Sequence, residues 1–104
     1  MSKKIDETKA KKWVKKFKDN KTGVITSAMI PRSVIEDILR QPNCQGIRIY
    51  NAYNESDPDE KKGYTMIALG TEANGENQLP ATSTSYSIWD DHAICPPVCP
   101  SNDL

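Results

Sequence analysis

No apolar run in this chain approaches the roughly 20 residues that a bilayer-spanning helix needs, so a helical membrane anchor is not expected. The opening segment, Met1-Ser2-Lys3-Lys4-Ile5-Asp6, is charged and lacks the apolar centre of a signal peptide, which points to a soluble cytoplasmic protein. Glycine is scarce, and Gly23, Gly46, Gly63, Gly70 and Gly75 are too scattered to form a phosphate-cradling loop. There is one histidine, and three cysteines are too few for a disulfide framework; in a cytoplasmic chain they favour free thiols or a metal site. Internal repeats are absent. The apolar fraction of 37% over 104 residues provides for one core with a polar periphery.

Net charge is also absent, yet the charges are unevenly placed. Residues 1–40 hold eleven Lys/Arg against five Asp/Glu, a net +6, while residues 41–104 hold three against nine, a net −6. A basic N-terminal part can serve nucleic acid or an acidic membrane surface. A solvated helix face beside an acidic sheet and tail explains the same numbers with less, so neither membrane nor nucleic acid is an expected partner.

Residues 6–19 have helical periodicity. Ala10, Trp13, Val14 and Phe17 recur on one face, with Lys11, Lys12, Lys15, Lys16 and Lys18 elsewhere. Asp6 is placed to cap the helix, and core packing is the expected role of Trp13 and Phe17. Val24 to Met29 is a short strand or extended connector. A second helix begins around Pro31, carries Val34, Ile35, Ile38 and Leu39 as its apolar stripe, and ends at Pro42-Asn43. Gly46 to Tyr53 alternates as a strand, and Tyr64 to Leu69 gives a second. The charged segment 54–62 between them is short enough for an antiparallel hairpin. Asp57, Asp59 and Glu60 in it lack the later glycine and glutamate of a calcium loop. Asn74-Gly75 signals a turn. The expected fold is α+β, with two N-terminal helices packed on a small antiparallel sheet. Because two strands are marginal alone, a further strand is expected from 24–29, from 82–89 or from a partner chain. Residues 1–75 then form the core domain. Residues 76–104 form a polar linker and an irregular Cys-Pro-Pro-Val-Cys tail packed on that core.

Chemistry concentrates in Asp90 to Cys99. His92, Cys95 and Cys99 have spacings compatible with zinc, and Cys44 completes a four-residue candidate set. The redox motif Cys-x-x-Cys is absent. Cys95 and Pro96 both precede a proline and favour extended backbone, and four residues of polyproline II would part the cysteine Cα atoms by about 12 Å. A disulfide needs them within about 7 Å, so it requires a turn after Pro97. Thiol catalysis by Cys95 or Cys99 with His92 lacks a rigid element to hold the groups. Packing of Cys44 in the core and of the tail against the sheet explains the same residues without reactivity, making the tail a structural clasp.

Three segments carry a family resemblance: Cys44-Gln45-Gly46-Ile47-Arg48-Ile49-Tyr50, the Ala73-Asn74-Gly75 turn, and Cys95-Pro96-Pro97-Val98-Cys99-Pro100. In this order they resemble a group of small uncharacterised bacterial proteins that open with a lysine-rich helix and end in a Cys-Pro-Pro-x-Cys tail. The long polar stretch at 76–87 departs from that pattern. The resemblance implies no activity. The expected function is a non-enzymatic interaction or assembly module, with a protein partner or a second copy, and no cofactor. The alternative is a zinc-stabilised module or a thiol-dependent enzyme built on Cys44, His92, Cys95 and Cys99.

Overall fold

The computed structural model describes residues 2–20, 26–53, 64–90, 92–95 and 98–104. The expectations for Val24 and Ile25, for the charged loop at 54–62 and for the extended Pro96-Pro97 pair lie outside the described residues. The elements are α1 (Glu7–Asn20), β1 (Ser27–Met29), α2 (Arg32–Leu39), β2 (Gly46–Tyr53), β3 (Tyr64–Thr71), β4 (Ile88–Trp89) and β5 (Ala93–Cys95). The fold is α+β with N-terminal helices and small antiparallel sheets, as the periodicity predicts.

β2 and β3 pair in antiparallel register from Gly46–Thr71 to Tyr53–Tyr64, and β4 adds a short third strand through Ala68–Trp89 and Leu69–Ile88. The further strand expected from 82–89 is thus β4. The segment near residues 24–29 pairs elsewhere: β1 joins β5 in a separate two-stranded sheet, matching Ser27 with Cys95 and Met29 with Ala93. The start of the tail is therefore ordered as a strand.

α2 packs on β2 and β3 and buries Ile38 completely. Asn43 takes φ 63° just after it, a left-handed conformation that asparagine tolerates, and this reverses the chain into β2. On β3, Ala68 and Gly70 share a face. A Cβ built at Gly70 would lie 2.5 Å from Gln78 Oε1, 2.9 Å from Gln41 Nε2 and 3.0 Å from Cys44 Sγ, so only glycine lets these groups approach the strand.

The residues beyond position 75 are not a mere linker. Gln78 is 0% exposed and Gln41 8%. Gln41 Nε2 donates to Gln78 Oε1 at 2.9 Å, Gln78 Nε2 donates to the Pro42 carbonyl at 2.7 Å, and the Ser87 N–H donates to Gln41 Oε1 at 2.9 Å. These bonds offset the cost of burying two amides, which left unpaired is about 1–3 kcal/mol per group. They tie the end of α2 to the polar stretch.

The 73–75 turn is a three-residue connection. Gly75 N donates to Glu72 O at 2.9 Å and Glu72 N to Glu76 O at 2.9 Å, with Gly75 at φ 87°. A β-turn closed by a left-handed glycine explains the Asn-Gly signal without a two-residue hairpin.

α1 departs most from expectation. Asp6 caps it as the sequence predicts, accepting a 2.7 Å bond from the Lys9 N–H, an arrangement worth about 1 kcal/mol. Yet no described residue of α1 is buried. Trp13 is 54% exposed and Phe17 45%, so core packing is not their role.

Candidate functional site

The β1–β5 ladder positions Cys95, the buried member of the tail's cysteine pair. Thr26 and Cys95 lock the ladder's end: the Thr26 N–H donates to the Cys95 carbonyl at 2.7 Å and its hydroxyl donates to the same oxygen at 3.1 Å. Cys95 is 2% exposed. Its sulfur is bonded to that of Cys99, with the Cα atoms 4.8 Å apart. The distance differs from the extended-path expectation because the chain turns: the Val98 N–H donates to the Ile94 carbonyl at 2.9 Å and folds Cys99 back over Cys95.

The tail after Cys99 returns to the same place. Asp103 Oδ2 lies 3.8 Å from Cys95 Sγ. In the disulfide that sulfur carries no proton, so this is a contact and not a donated bond. Lys18 Nζ donates to Asp103 Oδ2 at 2.9 Å and to the Leu104 carbonyl at 2.6 Å, fastening the last turn of α1 to the tail. The hydrogen bond from Lys18 holds the Asp103 carboxyl below its ordinary range, with the ammonium charge adding to the effect. Beside the disulfide runs a groove of about 460 Å³, bordered by Met29, Ala93, Val98, Cys99, Pro100 and Asp103. Among the described residues one group of possible metal ligands follows: the two sulfurs and an Asp103 oxygen all lie within 4.8 Å of one another.

Of the four zinc candidates read from spacing, the structure brings together Cys95 and Cys99 and adds Asp103; Cys44 and His92 are not in the group. Cys44 sits against the β2–β3 sheet, where its thiol donates to the Gly46 carbonyl at 3.2 Å, so it is held by packing and one weak bond. His92 is buried at 7% exposure, and its Nε2, like Trp89 Nε1, makes no hydrogen bond among the described residues. Asp103 is a member that spacing alone does not single out. The only available signal was an acidic side chain four residues beyond Cys99, which is too common to single out.

A second polar cluster lies on the outer face of β2. Arg48 Nη1 donates to Gly75 O at 3.0 Å and to Asn77 Oδ1 at 2.8 Å, while Asn77 Nδ2 donates to the Tyr50 hydroxyl at 2.8 Å. Asn77's bond, with Arg48 beside it, lowers the Tyr50 pKa against the smaller effect of desolvation. Arg48 and Asn77 thus direct these donors to the 75–77 turn and to Tyr50.

Comparison with protein families, with curated proteins and with solved structures finds no match for the chain.

Proposed function

We propose that the protein is a non-enzymatic assembly module that associates with a second copy of itself through α1. The observation that carries this reading is an amphipathic helix whose aromatic residues face solvent: Trp13 and Phe17 are 54% and 45% exposed. Large exposed aromatics are enriched at interfaces and supply much of their energy. The occupant is argued from charge. The helix belongs to residues 1–40, with net +6, and residues 41–104 carry net −6, so α1 of one copy complements the acidic part of another. Six of the lysines, Lys9, Lys11, Lys12, Lys15, Lys16 and Lys18, lie on α1 itself.

Size-exclusion chromatography with light scattering over a wide concentration range tests it. Self-association is expected, weakened by salt and lowered more than about tenfold by Trp13→Ala with Phe17→Ala. A strict monomer at every concentration overturns the reading. A monomer that shifts nucleic acid in a gel at low salt replaces it with a nucleic-acid role, because the same exposed rings can stack on bases.

A further inference from the structure

We propose that, once the Cys95–Cys99 disulfide is reduced, Cys95, Cys99 and Asp103 form a binding site for a zinc-type divalent cation. The disulfide is then the closed form of that site. The proposal does not rest on self-association through α1, although Lys18 of that helix pairs with Asp103.

Three features of the structure support it. The first is donor type and proximity: two sulfurs and one carboxylate oxygen already lie within 4.8 Å of one another. Zinc takes thiolate sulfur at about 2.3 Å and carboxylate oxygen at about 2.0–2.2 Å, so donors around one ion stand within about 4 Å of each other. Separating the sulfurs from bonding distance to that spacing needs rotamer changes more than backbone movement. The second is support. Cys95 is fixed by β5, by the Thr26 bonds and by near-complete burial, while the Val98–Ile94 hydrogen bond keeps Cys99 beside it. A site with one ligand on a strand and the second held beside it by a main-chain hydrogen bond is preorganised. The third is access. Cys99 and Asp103 border the groove of about 460 Å³, which gives the ion an entry route and leaves a fourth position for water or a small ligand. Three protein ligands with one open position distinguish reactive zinc sites from closed structural ones. The thiolates select zinc-type ions over magnesium and calcium.

The chemistry balances with one co-reactant. A dithiol reductant supplies two electrons and two protons, the sulfur–sulfur bond breaks to two thiols, and the reductant leaves as its own disulfide. Cation binding then displaces the two thiol protons to solvent, with no change in the metal's oxidation state.

The test uses the full chain, reduced under anaerobic conditions and titrated with cobalt(II) as a spectroscopic stand-in for zinc, then with zinc in competition. Mass spectrometry after alkylation counts the thiols. The expected result is one ion per reduced chain, a thiolate-to-cobalt charge-transfer band, no binding by the oxidised chain, and zinc protection of Cys95 and Cys99, but not Cys44, from alkylation. Cys44→Ser leaves binding unchanged, and Asp103→Asn weakens it by at least about tenfold, the lower end of what supporting residues of metal sites cost when lost. The protection pattern is read on the wild-type chain, so the result stands even where a cysteine variant folds poorly. Absence of the charge-transfer band in chain shown to be fully reduced overturns the proposal. So does equal affinity in Asp103→Asn, or zinc protection that falls on Cys44.

Discussion

The two sheets of this molecule are stabilised by different means. The β2–β3–β4 sheet is held by a long ladder, by α2, and by a buried pair of glutamines that no charge assists. The β1–β5 sheet pairs three residues with three and is reinforced by a disulfide, by the Thr26 bonds and by the Lys18–Asp103 ion pair. The first depends on packing and amide geometry. The second depends on bonds that redox state and pH can change. A small chain that cannot bury much apolar surface can still order a second unit with covalent and ionic ties. Those ties also make that unit the responsive one.

The first sheet is most vulnerable at Gln78. Replacing it with alanine leaves the Pro42 carbonyl and Gln41 Nε2 without their partner and opens a cavity at a fully buried position. The expected loss is about 3 kcal/mol of global stability, measured by urea denaturation, with the Cys95–Cys99 bond intact. Gly70→Ala acts on the same network from the strand side. Its added methyl meets Gln78 Oε1, Gln41 Nε2 and Cys44 Sγ, none of which can withdraw without losing a bond or entering the core. About 2 kcal/mol is expected, in the range for overpacking a tight site. If both substitutions cost nothing, the glutamine pair is not what holds the first sheet.

Reducing the disulfide sharpens the other side. The closed loop is short, with a sequence separation of four, so chain entropy accounts for about 2 kcal/mol or less. The loss should be local. Amide exchange is expected to accelerate at Thr26 and Val98, whose N–H groups bond to Cys95 and Ile94, in metal-free reduced protein, and to stay unchanged at the β2–β3 ladder. Uniform acceleration across both sheets would show that they unfold as one unit. A smaller effect still is expected from Trp13→Ala with Phe17→Ala. On a helix that buries no described residue, these changes should stay within about 0.5 kcal/mol of wild-type stability, measured on dilute monomer. A loss of several kcal/mol would place the rings in a core after all.

What could be read in advance follows from which forces are local. The Asp6 cap, α2 with Ile38, the β2 and β3 alternation and the glycine turn all rest on residues a few positions apart, and the periodicity shows them. The glutamine pair was not legible as core, because amides read as surface. The one hint was Gly70 inside a strand, a position that often marks close approach. Trp13 and Phe17 fit a core stripe by spacing, but spacing says which residues share a face and not whether anything covers it. The zinc spacing found two members of the candidate cluster and missed Asp103. It also included Cys44 and His92, which the chain holds elsewhere. Lys18 and Asp103 are 85 positions apart, and no local pattern connects them.

That ion pair supports the last and smallest prediction. Asp103 titrates from an ordinary value of 3.8, and its bond from Lys18 lowers the folded-state value below that. A carboxyl whose folded pKa is depressed adds stability above its unfolded pKa and loses it as pH falls through the folded one. The tie between α1 and the tail is therefore intact from neutral pH down to about the ordinary carboxyl range, and it is released below that. Because the pair is partly exposed, with side-chain exposures of 31% and 29%, the energetic effect is small and screened by salt. The readout should therefore be positional. Amide chemical shifts of Ser101 to Leu104 are expected to move together with those of the last turn of α1 as Asp103 protonates, while Gln41 and Gln78 stay fixed. In Lys18→Met the tail shifts should titrate nearer 3.8, and the helix shifts should no longer follow. Coupled movement that survives Lys18→Met would mean that the tail reaches α1 by another contact, and the division between a packed sheet and an electrostatically tied one would have to be redrawn.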